Sequence, residues 1–122
     1  MSEYDGSLNH CHLVGHVSSI NGDGFNERNK STFVSLVVAV TTSRRNRDGS
    51  FRERVDDFRV VAYSDAAEYV LTMLEPGMAV RIEGPMRTVK WTKKECGCIH
   101  YNREVLAKFI ARLPGDIEYV YE

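Results

Sequence analysis

Hydrophobic and polar positions alternate along several short stretches of the chain, which is typical of half-buried β-strands. In residues 9–20, for example, Leu13 and Gly15 alternate with His12 and His16. Residues 33–40 are instead almost continuously hydrophobic and rich in β-branched side chains, so we predict a strand that is buried on most of both faces. Together these patterns predict five strands, over residues 9–20, 33–40, 58–63, 80–91 and 99–113.

One short helix is predicted between the third and fourth strands, over residues 64–74. Asp65 is followed three residues later by Glu68, which fits a capping box, and Pro76–Gly77 ends the helix. Turn chemistry at residues 21–24 predicts a turn after the first strand, followed by a loop to residue 30. Residues 48–49, Asp-Gly, predict a hairpin between the second and third strands.

The fourth strand contains Gly84 and Pro85, and because proline cannot donate a hydrogen bond to a neighbouring strand, this pair marks a bend or an edge. Five strands with a helix between the third and fourth match a partly open Greek-key barrel, the OB-fold. We therefore predict an all-β protein with one short helix and a five-stranded OB-fold, although the periodicity alone also fits other small β-barrels. The predicted domain spans residues 9–113, with a flexible lead-in over 1–8 and a short acidic extension over 114–122.

The chain has 122 residues, which is enough for one hydrophobic core and too few for two ordinary domains. No apolar run approaches the roughly 20 residues that span a bilayer, and the acidic N-terminal residues do not resemble a signal peptide. Three cysteines, an odd number, predict free thiols in a reducing compartment. We therefore predict a cytoplasmic protein that has no membrane partner.

Positive charge is concentrated in two segments, although the formal net charge is only −1. Arginines crowd residues 44–54, and Arg87, Lys90, Lys93 and Lys94 surround Trp91, the single tryptophan. A local concentration of charge attracts a polyanion even when the total is near neutral. Interleaved rings and cations are also the groups that bind single-stranded nucleic acid, because bases stack on the rings and phosphates pair with the cations.

Four short motifs spread over most of the chain have a recognisable pattern. Residues 9–17 read Asn-His-Cys-His-Leu-Val-Gly-His-Val, and residues 59–63 read Arg-Val-Val-Ala-Tyr. After the predicted helix, residues 80–84 read Val-Arg-Ile-Glu-Gly and residues 87–92 read Arg-Thr-Val-Lys-Trp-Thr. These motifs resemble the corresponding strands of bacterial single-stranded DNA-binding proteins, and the similarity extends over residues 8–113.

This resemblance implies a non-enzymatic protein that binds single-stranded DNA without strong sequence preference, in replication, recombination or repair. It also implies a homo-oligomer, either dimer or tetramer. The family's long C-terminal linker and acidic tip recruit other enzymes, and we do not expect such recruitment from the short end of this chain. By position, Trp91 and Tyr63 match two of the family's stacking aromatics. The full set of predicted DNA-binding residues is Trp91, Tyr63, Lys90, Arg87, Arg59, Arg44, Arg45, Arg47, Arg52, Arg54, Lys93, Lys94, Phe51 and Tyr101.

The chain departs from the family pattern at several groove positions. Asp57 occupies the place of a stacking aromatic, and the neighbouring Phe58 is predicted to face the core by strand alternation. Arg44 or Arg45 replaces a further aromatic, although a guanidinium plane can also stack on a base. Val89 stands where the family often has an arginine. These differences predict weaker binding or a different path for the DNA strand.

Other interpretations of the same residues remain open. Trp91 is compatible with a packing role, and the arginines of residues 44–54 with an ordinary solvated hairpin. Cys96, Cys98 and His100 invite comparison with a zinc site, but one residue separates the cysteines instead of the usual two to four, so we predict no metal and no cofactor. Motifs for phosphate loops or nucleophiles are missing, so we predict no catalytic residues. The alternative function is an OB-fold adaptor of the primosome or of replication restart, binding protein partners as well as DNA.

Overall fold

The computed structural model describes residues 8–27 and 30–114 of the protein. Within these residues it contains seven β-strands in a single sheet and one α-helix. The strands are β1 (Cys11–Asn26), β2 (Ser31–Arg45), β3 (Phe51–Tyr63), β4 (Ala79–Gly84), β5 (Met86–Thr92), β6 (Ile99–Leu106) and β7 (Phe109–Arg112), and the helix α1 (Ser64–Met73) connects β3 to β4. The prediction of an all-β protein with one helix at this place is confirmed.

The order of the strands across the sheet is β5-β6-β3-β2-β1-β4-β7. All neighbours are antiparallel except β3 and β6, which pair in parallel where Val60 lies beside Val105 and Val61 beside Leu106. This parallel contact brings the β5–β6 hairpin against β3, so residues from three separate parts of the chain meet on one surface.

The sheet has seven strands where the sequence predicts five, because bends interrupt two of the predicted strands. Pro85, which lacks an N–H, separates β4 from β5 as expected. Ala107 and Lys108 separate β6 from β7. The bends lie side by side: the Leu106 N–H donates to the carbonyl of Pro85 at 2.9 Å, and the Lys108 N–H donates to that of Glu83 at 2.9 Å. Both strands therefore change direction together and stay hydrogen-bonded through the corner.

The first strand is longer than predicted, and the turn expected at residues 21–24 is not formed there. β1 continues to residue 26 and remains paired with β2, with two shifts of register on the way. Gly22 lies within the second of these shifts, where glycine often marks a bulge. Gly24 also makes room for Phe33, because a Cβ added at this glycine would lie 2.9 Å from the phenylalanine ring.

The core lies under one face of β2, whose side chains alternate between two environments. Val34, Leu36 and Val38 are fully buried, whereas Phe33 and Ser35 on the other face are only half-buried. The predicted burial on most of both faces is therefore not observed. The other strands and α1 supply the remaining large side chains that are fully buried, which are Val17, Val60, Val70, Val80, Ile82 and Val105.

The helix begins without the predicted capping box. Its N-cap residue is Tyr63, which makes no capping hydrogen bond with its side chain, so Asp65 and Glu68 do not act as a pair. Asp65 lies in the first turn instead, where a negative charge interacts favourably with the helix dipole. The predicted turn after the helix is present, and Gly77 adopts a φ of 95° there, which glycine tolerates without strain.

Most of the two predicted terminal segments lies outside the described residues. Residues 1–7 of the predicted lead-in and residues 115–122 of the predicted acidic extension lie outside the described residues. Across residues 8–27 and 30–114, α1 is the one helix, and it is neither long nor apolar enough to cross a membrane.

Candidate nucleic-acid interface

An open depression of about 600 Å³ lies on the outer face of the sheet, where β2 and β3 meet β5 and β6. Its lower part continues into a smaller depression of about 380 Å³ beside residues 21–22, and the two share Phe33, Ser35 and Arg59. We call the two together the groove. Cross-strand pairing explains its lining, because Phe33 lies opposite Tyr63, and Ser35 opposite Val61, on the same face of the sheet.

A hydrogen-bonded cluster of charged side chains forms one wall of the groove. The carboxylate of Glu104 is 6% exposed; one of its oxygens accepts a hydrogen bond from Nε of Arg87 at 2.9 Å and lies 2.8 Å from Nη2 of the same arginine in an ion pair. Its second oxygen lies 3.5 Å from Nε of Arg59. Nη2 of Arg87 also donates to the hydroxyl of Tyr63 at 3.0 Å, and the guanidinium carbon lies 5.6 Å from the centre of the tyrosine ring.

This cluster favours the charged form of Arg87. The hydrogen bond to Tyr63 and the contacts with Glu104 raise the pKa of the Arg87 guanidinium above its ordinary value, against the opposing effect of burial. The arginine therefore remains charged. Three of the predicted site residues, Arg59, Tyr63 and Arg87, are brought together here.

The predicted stacking residue Trp91 lies farther along the same face of the β5–β6 hairpin. Trp91 is paired with His100 and Arg87 with Glu104, so the tryptophan and the arginine share a face. The Trp91 and His100 rings are stacked, with centroids 4.5 Å apart and an angle of 16° between their planes. The indole N–H donates to the amide oxygen of Asn102 at 3.2 Å when the amide is oriented to satisfy both of its groups. The tryptophan is nevertheless 42% exposed, so its outer face is accessible.

Two further predicted residues, Lys90 and Tyr101, form a cross-strand pair that alternates with Trp91 on this hairpin, and Lys90 also lines the depression of about 600 Å³. Tyr101 is 63% exposed, and Lys93 and Lys94 lie in the exposed connection at the tip. The hairpin therefore presents aromatic and cationic groups on both faces.

The structure corrects the prediction of free thiols at the tip of the hairpin. Cys96 and Cys98 are joined by a disulfide bond, with their Cα atoms 5.2 Å apart. The tight turn around Gly97, whose φ is 69°, brings the two side chains to a separation that allows such a bond. Cys11 is a free thiol, as predicted.

The arginines of the β2–β3 hairpin are divided between its two faces. Arg45 pairs with Phe51 on the side that continues the groove, whereas Arg44 pairs with Arg52 on the other side. Arg54 is also on that other side and forms an ion pair with Asp56 at 3.1 Å. The side opposite the groove contains its own depression of about 580 Å³, which includes Arg44, Arg52 and Arg54.

The turn of this hairpin has the geometry predicted from Asp-Gly. Gly49 has a φ of 91°, and Asp48 accepts hydrogen bonds from the Ser50 hydroxyl at 2.6 Å and from the Ser50 N–H at 2.9 Å. These bonds, the hydroxyl's first, hold the pKa of Asp48 below its ordinary value. Arg47 lies exposed in the same turn.

The positions that depart from the family pattern are also defined by the strand register. Asp57 lies opposite Ala39, on the face that carries the groove, while Phe58 packs against the core as predicted. Val89 lies opposite Asn102, between the Arg87 and Trp91 levels of the groove. An acid and an apolar residue therefore occupy positions near the groove.

Sequence reasoning missed three residues of this surface: Phe33, Glu104 and His100. Phe33 is hidden within a continuous hydrophobic run, so its position on the outer face becomes evident only from pairing with Tyr63. A contact between Glu104 and Arg87 could have been predicted, because the strand that contains Glu104 returns beside the strand that contains Arg87. His100 was considered only as a metal ligand. Among the described residues, no group of three or more histidines, cysteines or acids is arranged to hold a metal ion.

A sheet whose open groove is lined by aromatic rings and cations defines a protein of the class that binds flexible single strands. The chain belongs to the single-strand binding protein family, whose model matches residues 8–113. It is 32% identical over 103 residues to Single-stranded DNA-binding protein 1 of Xylella fastidiosa, covering 84% of this chain and 74% of that protein. It is 34% identical over 84 residues to the Single-stranded DNA-binding protein of Xanthomonas axonopodis pv. citri, covering 69% of this chain and 45% of that relative.

Solved structures show the same fold. The Plasmodium falciparum SSB complex with ssDNA matches with a TM-score of 0.76 at 20% identity, covering 93% of this chain and 99% of that one. The small single-stranded DNA-binding protein from Streptomyces coelicolor matches with a TM-score of 0.69 at 16% identity, covering 88% of this chain and 97% of that one.

Proposed function

We propose that this protein binds single-stranded DNA without strong sequence preference, as its family membership indicates. The observation that carries the proposal is the groove, whose lining brings the rings of Phe33 and Tyr63 together with the cations Arg59, Arg87 and Lys90. Bases of any sequence stack on such rings, and phosphates pair with the cations. Its cellular roles on this proposal are those predicted from the family, in replication, recombination or repair.

We assign base stacking to the rings of Tyr63 and Phe33 in the groove and to that of Trp91 farther along the same face. Phosphate contacts are assigned to the cations on either side of these rings, on the β2–β3 hairpin and at the tip of the β5–β6 hairpin. Phe51 and Tyr101, which are 59% and 63% exposed, are further stacking surfaces on these hairpins. The cations assigned to phosphate contacts are Arg59 and Lys90, which line the groove, and, on the two hairpins, Arg44, Arg45, Arg47, Arg52, Arg54, Lys93 and Lys94.

We further propose that the sheet is a closed five-stranded OB-fold barrel. On this interpretation β4 with β5 is one bent strand and β6 with β7 is another, because the hydrogen bonds of Leu106 and Lys108 continue through both bends. The pairing of β4 with β1, and of β6 with β3, would then close the ring. Residues 9–113 form the DNA-binding domain in this proposal.

The remaining parts of the proposal concern assembly and activity. A single groove is short, so we expect a homo-oligomer, dimer or tetramer, in which several copies hold one strand at high effective concentration. We propose a binding protein without catalytic activity, located in the cytoplasm. We do not pursue the adaptor alternative, because no contact or surface in the described residues favours it over DNA binding.

The test is titration of the protein with oligo(dT) while the fluorescence of Trp91, the single tryptophan, is recorded at low and high salt. We expect strong quenching at low salt that weakens as salt rises, because a base stacks on the indole and the phosphate contacts are screened. A double-stranded oligonucleotide of the same length is the control and should quench far less. The proposal would be contradicted if oligo(dT) caused no quenching and was not retarded in a gel.

A further inference from the structure

The groove contains one acidic side chain at its centre, and this carboxylate changes the roles of the two arginines beside it. We infer that Arg87 and Glu104 form a charge-compensated pair that positions Tyr63 for base stacking, and that the phosphate contact at this level of the groove is made by Arg59. This inference rests on the proposed function and deepens it, since it separates the residues that hold bases from those that hold the backbone.

The hydrogen bonds of Arg87 show that most of its donors are already occupied. Its Nε–H donates to Glu104, and Nη2 donates to the Tyr63 hydroxyl and lies 2.8 Å from the same oxygen of Glu104. Of the five donors of the guanidinium, only the two N–H groups of Nη1 belong to a nitrogen that makes none of these contacts. A phosphate therefore cannot form the usual fork-like contact with Arg87 unless the contact to Glu104 or to Tyr63 is broken.

Breaking the contact to Glu104 is unfavourable because the carboxylate is 6% exposed. Without Arg87 the buried carboxylate would keep only the longer contact with Arg59, at 3.5 Å, and poorer compensation of a buried charge is destabilising. A phosphate close to Arg87 would also lie close to this second negative charge. Arg87 therefore keeps its contacts within the protein, with Glu104 and with the hydroxyl of Tyr63, and does not bind phosphate.

Arg59 differs from Arg87 in both geometry and exposure. Its Nε lies 3.5 Å from Glu104, compared with 2.8 Å for the closest nitrogen of Arg87, and its side chain is 54% exposed, compared with 39% for Arg87. Two arginines and one carboxylate leave a net charge of one positive unit in the cluster. That charge resides at Arg59, the arginine whose contact with the carboxylate is longer and whose side chain is more accessible.

The experiment measures how the affinity for oligo(dT) depends on salt in three variants. R87Q/E104Q replaces the pair by neutral groups without changing the net charge. We expect its affinity to fall roughly three- to tenfold at every salt concentration, with an unchanged salt slope, because stacking on Tyr63 is weakened and no phosphate contact is lost. R59Q should lower the slope by about 0.7, the value for one phosphate contact on a single strand.

Y63F tests the link between the pair and the tyrosine. It removes the hydroxyl that Arg87 binds and keeps the ring, so it should reproduce much of the loss seen in R87Q/E104Q. The triple variant R87Q/E104Q/Y63F should lose little more affinity than R87Q/E104Q or Y63F alone, because all of them interrupt the contact between Arg87 and the Tyr63 hydroxyl.

Each result has a defined meaning. A slope that falls by about 0.7 in R87Q/E104Q would assign a phosphate contact to Arg87 and overturn the inference. An unchanged affinity in that variant would also overturn it, by removing the positioning role. If the unmodified protein does not bind oligo(dT) at low salt, the proposed function itself is overturned, and this inference with it. If R87Q/E104Q does not fold, R87M/E104L carries the same test, since apolar replacement of a buried ion pair is often tolerated.

Discussion

At the scale of single residues, the groove depends on aromatic side chains that the fold holds in place without enclosing them. The ring of Phe33 lies over Gly24, where a Cβ would come within 2.9 Å of it, and opposite Tyr63 on the neighbouring strand. The ring is therefore supported from below and half-exposed from above. A flat apolar surface that water reaches on one side is what base stacking requires.

We predict that Phe33→Ala weakens binding of oligo(dT) by roughly five- to 150-fold, because base–aromatic stacking is worth about 1–3 kcal/mol. Fluorescence anisotropy of a labelled oligonucleotide would measure the loss. The matched control is Phe109→Ala, which removes an aromatic ring that is 47% exposed, lies on β7 and contacts Arg81 outside the groove. Equal losses in the two variants would show that Phe33 has no specific role.

At the scale of elements, the bend between β4 and β5 directs the β5–β6 hairpin over β3, and through it Trp91 and Arg87 toward Tyr63. The bend needs two residue types at once. Pro85 omits a donor from the strand, and Gly84 allows the neighbouring backbone to approach, since a Cβ there would collide with the carbonyl oxygen of Leu106 and lie 3.1 Å from the nitrogen of Lys108. The contact is with backbone, which cannot rotate away.

We predict that Gly84→Ala lowers the free energy of unfolding by about 1–3 kcal/mol, the usual cost of overpacking a tightly packed site. Chemical denaturation followed by circular dichroism would measure it. Gly22→Ala is the control, because a Cβ at Gly22 meets nothing within 4 Å, and surface changes of this kind usually stay within about 0.5 kcal/mol. Similar stability of the two variants would contradict the importance of the bend.

At the scale of the whole molecule, the arrangement of charge matters more than its total. The formal net charge is −1, yet two hairpins project from the core with arginines on one and lysines on the other. Between them the Glu104 cluster is partly compensated. A bound strand would thus meet its strongest positive potential at the two ends of the groove and its rings in the middle.

We predict that R44Q/R45Q lowers the salt slope of oligo(dT) binding by about 1.4, since each lost phosphate contact on a single strand changes the slope by about 0.7. Gel shifts or anisotropy over a range of salt concentrations would measure this. K108Q/R112Q removes the same charge from exposed positions on and beside β7, far from the hairpin, and should leave the slope unchanged. If the salt slope falls equally in R44Q/R45Q and in K108Q/R112Q, the effect depends on net charge and not on the position of the charges.

Features that depend on neighbouring residues could be predicted from the sequence. The Asp48–Gly49 hairpin, the bend at Pro85 and the helix before Gly77 are all present, because each follows from what one or two residues can or cannot do with their backbone. The turn expected at residues 21–24 failed for the opposite reason. Gly24 permits a close approach of Phe33 from another strand, which the local sequence does not reveal.

By itself, the sequence determined the class of fold, the one helix and the two segments in which positive charge and aromatic rings are concentrated. These follow from alternation, turn chemistry and composition, which are local properties. Only the tertiary structure decided that Glu104 lies against Arg87, that Phe33 faces the groove and that the arginines of one hairpin divide between its two faces. The reason is physical: strand register sets which distant residues share a face, and register comes from pairing the whole sheet around its core.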